Sequence, residues 1–237
     1  MAMRDDIQNE ISGILSQPWN IRQGTVVPSE DKVSFTGNVV KLEGTVLYAD
    51  MRESSKLVDD VNQRVAGKVY QAYLRSIARL ISNMGGTITA YDGDRIMGIF
   101  LGDDKNTTSG KCALQINFVV SQILSPMLTD HFKTLNRNGF RISHCVGIDT
   151  GSFLAVKAGQ RVANDIVWIG KPPNLAAKLS EIRYEDYTTF ISRDVFSALD
   201  NGAKYGGKEK KLMWDKMNLD YLDEKIEIYG SIWYWGI

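Results

Sequence analysis

Cysteine, histidine and proline are scarce in this sequence. It contains two cysteines, two histidines and five prolines among 237 residues. Two cysteines are too few for a disulfide framework or a cysteine-based zinc site, and two histidines are too few for a histidine-rich metal site. If the protein uses a metal ion, carboxylates should hold it, which favours Mg²⁺ or Mn²⁺.

An excess of charge of either sign is also absent. Lys and Arg total 28, and so do Asp and Glu, so the formal net charge is zero. Proteins that bind duplex nucleic acid usually carry a basic excess, so we expect no nucleic-acid partner. A small triphosphate ligand needs only a local positive patch, and the composition is compatible with one.

Long hydrophobic runs are missing as well. No uninterrupted apolar run reaches the roughly 20 residues that a membrane span needs. The first residues, Met1-Ala-Met-Arg-Asp-Asp, lack the apolar core of a signal peptide. We therefore expect a cytoplasmic protein that does not interact with a membrane.

What is present is an ordinary globular composition, with 43% hydrophobic and 24% charged residues. Residues 4–16 have the spacing of a short amphipathic helix, and residues 17–43 read as an irregular or β-rich arm. The main domain is predicted to begin near Leu42. We therefore divide the chain into an N-terminal helix and arm, 1–41, and one domain, 42–237.

Strands and helices alternate along the main domain. The first predicted strand is 45–49, and an antiparallel hairpin is predicted at 87–91 and 95–100 because Asp92-Gly-Asp94 is a tight-turn signal. This pattern favours an α+β fold, a mixed sheet with helices on one face, over a parallel doubly wound sheet. The other predicted helices are 56–83, 109–135 with a possible kink at Pro126, 174–182 and 193–199, and the other strands are 140–148, 152–157, 165–169, 188–191, 212–218 and 225–234.

Two aspartates, Asp50 and Asp94, each follow a hydrophobic strand and lie at a turn. A carboxylate at a strand end is exposed yet held by a rigid element, which suits a divalent ion. Phosphoryl transfer needs such ions, because a triphosphate is highly charged and a sugar hydroxyl is a poor nucleophile. On spacing alone, the alternative is two turn aspartates with only local hydrogen bonds.

The segment Met51-Arg-Glu-Ser-Ser55 leads from Asp50 directly into a predicted helix. Free backbone N–H groups at a helix start attract phosphate, so Arg52, Ser54 and Ser55 are candidate substrate-binding residues. A plain N-cap of the helix is the favoured role of either hydroxyl.

Four segments resemble, in the right order, motifs of the class III adenylate and guanylate cyclases. Asp50-Met-Arg-Glu-Ser-Ser-Lys-Leu57 resembles Asp-Ile-x-Gly-Phe-Thr-x-Leu, and the stretch from Gly85-Gly86 to Gly93-Asp94 resembles the second-metal motif. Val146-Gly-Ile-Asp-Thr-Gly151 resembles Gly-Ile-His-Thr-Gly, and Gly170-Lys-Pro-Pro-Asn-Leu-Ala-Ala-Lys-Leu179 resembles Gly-x-x-Val-Asn-x-Ala-Ala-Arg-Leu. Together they cover roughly residues 42–192.

The resemblance implies a ferredoxin-like βαββαβ core that forms a head-to-tail homodimer with two active sites at the interface. Asp50 and Asp94 would hold two divalent ions per site, with the Met51 backbone carbonyl as a further ligand. Asn174 and Lys178 are spaced i, i+4 on one helix face and would act in the site of the other subunit. There, Asn174 would orient the ribose and Lys178 would stabilise charge on the phosphoryl group in transfer. An ordinary solvated helix is the alternative.

Several positions depart from the family pattern. Glu53 and Ser54 replace the glycine and phenylalanine of the first motif, and Lys178 replaces an arginine and so lacks its planar fork. In the base pocket, Ala90 and Val167 replace the groups with which adenylate cyclases hydrogen-bond adenine, so an adenine would be left with unpaired polar atoms. The Glu/Cys pair of guanylate cyclases is absent too, so both ATP and GTP are disfavoured.

These departures resemble the pyrimidine cyclases of bacterial Pycsar antiphage systems, as do Tyr91-Asp-Gly-Asp-Arg95 and the run from Pro173 to Leu179. The resemblance implies that cyclic UMP or cyclic CMP is made after phage infection and activates a separate effector protein. Tyr48 shares a strand face with Asp50 and would close a smaller base pocket, although core packing explains it nearly as well. Arg95 would reach a pyrimidine carbonyl or a phosphate.

The sequence therefore predicts a cyclase that converts UTP to cyclic UMP and pyrophosphate. Three alternatives stay open: conversion of CTP to cyclic CMP, an adenylate cyclase with an unusual base pocket, and an inactive module that only binds nucleotides. A diguanylate cyclase is not favoured, because Gly85-Gly86 precedes a strand and does not form a hairpin turn.

Overall fold

The structure, a computed structural model, describes residues 2–35, 37–137, 139–160, 162–184 and 186–237. The helices are α1 (Ala2–Ser16), α2 (Ser54–Asp60), α3 (Gln63–Asn83), α4 (Lys105–Phe118), α5 (Ser125–His131), α6 (Lys133–Arg137), α7 (Lys171–Ser180), α8 (Arg193–Ala198) and α9 (Asn201–Lys204). The strands are β1 (Asn20–Gln23), β2 (Asn38–Arg52), β3 (Thr87–Asp92), β4 (Arg95–Phe100), β5 (Ser143–Gln160), β6 (Ala163–Ile169), β7 (Thr189–Ser192), β8 (Tyr205–Gly206), β9 (Lys211–Leu212), β10 (Asp215–Tyr221) and β11 (Glu224–Ser231).

The chain divides into two compact units. The smaller unit contains the residues up to Leu42 together with Ser152–Gly170, and the larger contains Glu43–Gly151 and Lys171–Ile237. The long strands β2 and β5 each contribute residues to both units. The proposed division of the chain into domains 1–41 and 42–237 stays a prediction.

The smaller unit contains short β-pairings and the N-terminal helix. β1 pairs in parallel with the start of β2, and β6 pairs antiparallel with the end of β5. α1 has no buried residue among those described, and it exposes an apolar stripe whose members are Ile7, Ile11, Ile14 and Leu15.

The larger unit is built on a mixed sheet with the strand order β10-β11-β7-β5-β2-β4-β3. β5 and β7 are parallel, while β2 with β4 and β3 with β4 are antiparallel. Within this sheet, β5-β2-β4-β3 is the strand order of a ferredoxin-like βαββαβ unit, with α3 and α4 as its two helices. The predicted mixed sheet, the hairpin and the α+β class are confirmed.

Helices cover both faces of this sheet. Val146 and Ile191 belong to a core cluster with α3 and α4, whereas Cys145 and Phe190, their neighbours on the same strands, belong to a second cluster with α7. Because successive strand residues point to opposite faces, α7 packs on the face opposite to α3 and α4. The expectation that all helices lie on one face is therefore wrong for α7.

The predicted helix 56–83 is interrupted in the structure. α2 ends at Asp60, and Asn62 has extended backbone angles and accepts a hydrogen bond from the Val65 nitrogen at 3.0 Å. An asparagine in this position is a strong N-cap, so a new helix begins immediately after it. The sequence pattern missed the break because apolar spacing continues across it.

The predicted helix 109–135 begins earlier in the structure, at Lys105, ends at His131 and is less regular than expected. α4 passes through a π-helical segment, Val119–Leu124, into α5, and Pro126 lies at the start of α5. Proline fits the first turn of a helix because its missing N–H has no intrahelical partner there.

The continuous helical stretch Lys105–His131 is long and apolar enough, by length and composition, to cross a membrane. It contains no long uninterrupted apolar run, so the sequence alone did not indicate it. Most of its apolar side chains, among them Leu114 and Ile116, are buried in the core of the larger unit. This is the burial expected of the core helix of a soluble domain.

α7 lies against β5 at Gly147. A β-carbon built at this position would overlap the carbonyl oxygen of Ala176 and the backbone nitrogen of Ser180. Only glycine permits backbone to approach backbone this closely. Gly147 therefore sets the position of the helix that carries Asn174 and Lys178.

His144, also on β5, is held uncharged by its surroundings. It is 1% exposed, and neither ring nitrogen has a hydrogen-bond partner among the described residues. Burial, assisted by the positive charge of Arg52, lowers the pKa of His144 to about 3. Protonation of this side chain is therefore linked to unfolding.

We predict that Gly147→Ala lowers the free energy of unfolding by about 1–3 kcal/mol, because α7 must shift to admit a methyl group. Denaturant unfolding of the purified variant measures this. Gly67→Ala is the control: its β-carbon meets nothing within 4 Å, and alanine should stabilise α3 by about 0.5–1 kcal/mol. An unchanged unfolding midpoint in Gly147→Ala would contradict the close approach.

We also predict an acid-dependent loss of stability through His144. The unfolded chain takes up this proton near the ordinary histidine pKa of 6.5, and the folded chain only near about 3. Between these values the unfolded state binds more protons, so the free energy of unfolding should fall as pH decreases.

His144→Leu should remove this contribution. Its stability relative to the wild type should improve with falling pH by up to about 1.4 kcal/mol per pH unit. Urea unfolding across this pH window provides the measurement, with His131→Gln, an exposed position, as the control. A difference that does not vary with pH would contradict the assignment.

Candidate active site

Asp50 and Asp94 line one cleft in the larger unit. The register of β2 with β4 sets Asp50 opposite Arg95, and Asp94 directly precedes Arg95 in a turn where Gly93 has a φ of +59°. The two carboxylates therefore reach the same end of the sheet. The aspartate cleft, as we call it, has a volume of about 480 Å³ and lies between the end of β2, the start of α2, the β3–β4 turn and the segment 181–183.

The start of α2 forms one wall of the aspartate cleft. Glu53 is the N-cap residue and adopts a left-handed conformation with a φ of 56°, and Ser54 and Ser55 follow it in the cleft lining. Glycine, which the related motif has here, adopts this conformation freely, whereas other residues do so at a cost of about 1–2 kcal/mol. The backbone shape that glycine favours is therefore retained although the residue has changed.

Asp50 is a nearly buried carboxylate with a cation beside it. It is 7% exposed, and the Nη2 atom of Arg183 donates to its Oδ2 atom at 2.6 Å. Burial raises the pKa of Asp50, the hydrogen bond from Arg183 opposes that rise, and the negative charge of Asp94 adds to it. The ionised carboxylate thus depends on a positive neighbour.

Oxygen donors are what the aspartate cleft offers a metal ion. The two carboxylates and the backbone of Met51, whose side chain is buried, are hard ligands suited to Mg²⁺ or Mn²⁺. No group of three or more His, Cys, Asp or Glu side chains within the described ranges could hold a metal ion. The donor set therefore fits an ion whose remaining ligands come from substrate phosphates and water.

Arg95 lines the aspartate cleft, and Tyr48 lies next to Arg95. The guanidinium of Arg95 is 6.0 Å from the centre of the Tyr48 ring, and it donates to Asp92 at 3.2 Å and Glu181 at 3.1 Å. Burial raises the pKa of Tyr48, against the opposing effect of the Arg95 charge. An aromatic face and a fixed cation are thus available to a planar ligand.

The two other predicted base-pocket residues lie on different strands. Ala90 is half-buried on β3, next to a register shift in the pairing of β3 with β4. Val167 belongs to β6 in the smaller unit and is 40% exposed. Their roles in base recognition stay predictions.

Arg52 occupies a position unlike the one expected from sequence. It donates to the carbonyl oxygen of Ile182 at 3.3 Å and also to that of Tyr187. It is not among the described residues that line the aspartate cleft. These hydrogen bonds connect the end of β2 to the loop after α7, so Arg52 holds the two segments together.

Asn174 and Lys178 lie on the exposed side of α7. Asn174 lines a second cleft of about 620 Å³ together with Lys171 and the tip of the β10–β11 hairpin. The Nζ atom of Lys178 is 3.6 Å from the Oε2 atom of Glu181. Neither residue is among the described residues that line the aspartate cleft.

Sequence reasoning missed Glu181 and Arg183, which both line the aspartate cleft. No motif marks them, and Arg183 is 133 residues from Asp50 along the chain. Their approach depends on the path of the chain after α7, which apolar periodicity does not report.

Proteins named uridylate cyclases match this chain along its whole length. A uridylate cyclase from Rhodovulum sp. (strain MB263) is 39% identical over 235 residues, which cover 99% of this chain and 98% of that protein. A uridylate cyclase from Xanthomonas perforans is 35% identical, with 100% of both chains covered. No protein-family model matches the chain.

Solved structures share the fold. The guanylyl cyclase Cya2 superimposes with a TM-score of 0.67 at 17% identity, over 82% of this chain and 93% of that one. This likeness shows that the chain has the fold of a nucleotide cyclase. The full-length relatives show the family, and the chain belongs to the uridylate cyclases.

Proposed function

We propose that this chain converts UTP to 3′,5′-cyclic UMP and pyrophosphate. The ribose 3′-oxygen attacks the α-phosphorus and loses its proton, the new O3′–P bond forms, and the bond to pyrophosphate breaks. The observation that carries the proposal is the convergence of Asp50 and Asp94 on one cleft, in a chain whose full-length relatives are named uridylate cyclases.

Asp50, Asp94 and the Met51 carbonyl would hold two divalent ions, Mg²⁺ or Mn²⁺. When bound, such ions activate the attacking hydroxyl and screen the charge of the phosphates. The chain's own contribution is position, because a strand end fixes Asp50 and a hairpin turn fixes Asp94. Rigid anchors of this kind favour a reactive geometry.

The aspartate cleft of a single chain is incomplete as a cyclase site. Asn174 and Lys178 point to solvent from α7 and do not line it. We therefore propose a head-to-tail homodimer in which the partner's Asn174 orients the ribose and the partner's Lys178 stabilises charge on the transferring phosphoryl group. A two-fold axis would create two such sites.

Tyr48 and Arg95 support a pyrimidine as the base. Arginine can only donate hydrogen bonds, and both uracil and cytosine offer two acceptors on their rings. This arginine therefore does not separate the two bases, and we place UTP ahead of CTP because the full-length relatives are named uridylate cyclases. The half-buried Tyr48 ring would limit the room for a purine.

The cellular role follows from the product. Cyclic UMP would serve as a second messenger in bacterial defence against phage, made in the cytoplasm and recognised by a separate effector protein. The resemblance to pyrimidine cyclases of antiphage systems supports this role.

Incubated with Mn²⁺ and each of the four ribonucleoside triphosphates in turn, the purified chain should form cyclic UMP as its main product. Asp94→Asn should lower this rate by at least about a hundredfold, because a carboxylate ligand is lost. Mass spectrometry of the products provides the readout.

Asp103→Asn, an exposed loop position outside the cleft lining, is the matched control and should retain the wild-type rate. Cyclic CMP or cyclic AMP as the main product would replace the proposed substrate. Full activity of Asp94→Asn would refute the metal assignment.

Subunit mixing tests the shared site. Asp94→Asn and Asn174→Ala chains should each be nearly inactive alone. After co-refolding, heterodimers form with one intact site each, so activity should return to roughly a quarter of the wild-type rate. Absence of any recovery, with heterodimers shown to form by native mass spectrometry, would refute the composite site.

A further inference from the structure

Asp50 already has a cation as its partner in this structure. The Arg183 guanidinium donates to its Oδ2 atom at 2.6 Å, while Asp50 is only 7% exposed. A carboxylate this buried is unfavourable in its charged form without a positive partner. Arg183 supplies that partner within the chain itself.

Divalent ions at Asp50 would remove the need for this partner. The guanidinium and a metal ion would compete for the same carboxylate, and two positive charges in contact repel strongly in a partly buried site. An Asp50 that binds metal therefore has to release Arg183 from its present position.

The side chain of Arg183 can move while its backbone stays in place. The side chain is 44% exposed. The loop beneath it is held by Arg52, which donates to the Ile182 and Tyr187 carbonyl oxygens. The Nη1 atom of Arg183 donates to the carbonyl oxygens of Ser180 and Ile182, at 2.8 and 3.2 Å, which keeps the released group at the cleft wall.

Arg95, which also lines the aspartate cleft, has other hydrogen-bond partners. Arg95 divides its hydrogen bonds between Asp92 and Glu181, neither of which we assign to a metal ion. Arg183 has its ion pair with Asp50, the carboxylate that the metal ions would take. Metal binding would thus free Arg183 and leave Arg95 in place.

We propose that Arg183 is a phosphate-binding residue of the aspartate cleft, displaced from Asp50 by divalent ions and then bound to the phosphates of the nucleotide. A planar guanidinium donates two parallel hydrogen bonds to phosphate oxygens, and a cleft with Glu53, Asp92 and Glu181 in its lining needs a mobile cation for an anionic ligand. This inference rests on the proposed function.

Isothermal titration calorimetry on the full chain tests both halves of the inference without turnover. Arg183→Gln should bind Mn²⁺ alone about fivefold more tightly than the wild type, because the competing ion pair is gone. In saturating Mn²⁺, it should bind pyrophosphate about tenfold more weakly, because a charge-assisted hydrogen bond to phosphate is lost. Arg193→Gln, which removes an exposed arginine on α8 paired with Glu227, should change neither affinity.

Unchanged or weaker Mn²⁺ binding by Arg183→Gln would overturn the competition, and unchanged pyrophosphate binding would overturn the phosphate contact. If Arg183→Gln fails to fold, Arg183→Lys is measured in its place, because lysine keeps the positive charge but lacks the planar guanidinium. Weaker pyrophosphate binding by Arg183→Lys would support the proposal, and unchanged binding would refute it. A wild-type chain that forms no cyclic nucleotide would instead refute the proposed function, whatever these affinities are.

Discussion

The antiparallel pairing of β2 with β4 is the constraint on which the site depends. Its register sets Asp50 opposite Arg95, so the turn that precedes Arg95 delivers Asp94 to the same end of the sheet. A slip of one residue would turn Asp50 to the other face, among the side chains that pack on α3. The buried residues of β2, such as Leu47 and Met51, prevent this slip because they fill the core on that face.

The register of β2 with β4 places the carboxylates of Asp50 and Asp94 together, next to a region of low polarity. Beneath the site, Tyr73 of α3 is fully buried, and its hydroxyl has no hydrogen-bond partner among the described residues. Burial, with the charges of Asp50 and Asp94 in addition, raises the pKa of Tyr73 well above its usual value. Positive charge therefore has to approach from the open side, where Arg183 stands and where metal ions would bind.

Local sequence signals predicted much of this fold, because strands, turns and helix faces have short periods. Asp92-Gly-Asp94 indicated the hairpin correctly, and the α+β class followed from the order of the elements. The position of α7 was missed, since it depends on backbone contact at Gly147 that no local pattern records. Arg52 was expected near substrate because it adjoins Asp50 in sequence, yet its side chain bonds to the loop after α7. Glu181 and Arg183 were not predicted, because their place in the cleft depends on tertiary packing and on no motif.

α7 ends where Glu181 and Arg183 begin to line the aspartate cleft, while Lys178 faces outward one turn earlier. In the proposed homodimer, this short helix is therefore a part common to two catalytic centres. A small rotation that withdraws Lys178 from one centre would also shift Arg183 in the other. The catalytic rates of the two centres would then depend on each other, and cooperativity between the subunits would arise from the position of α7 alone.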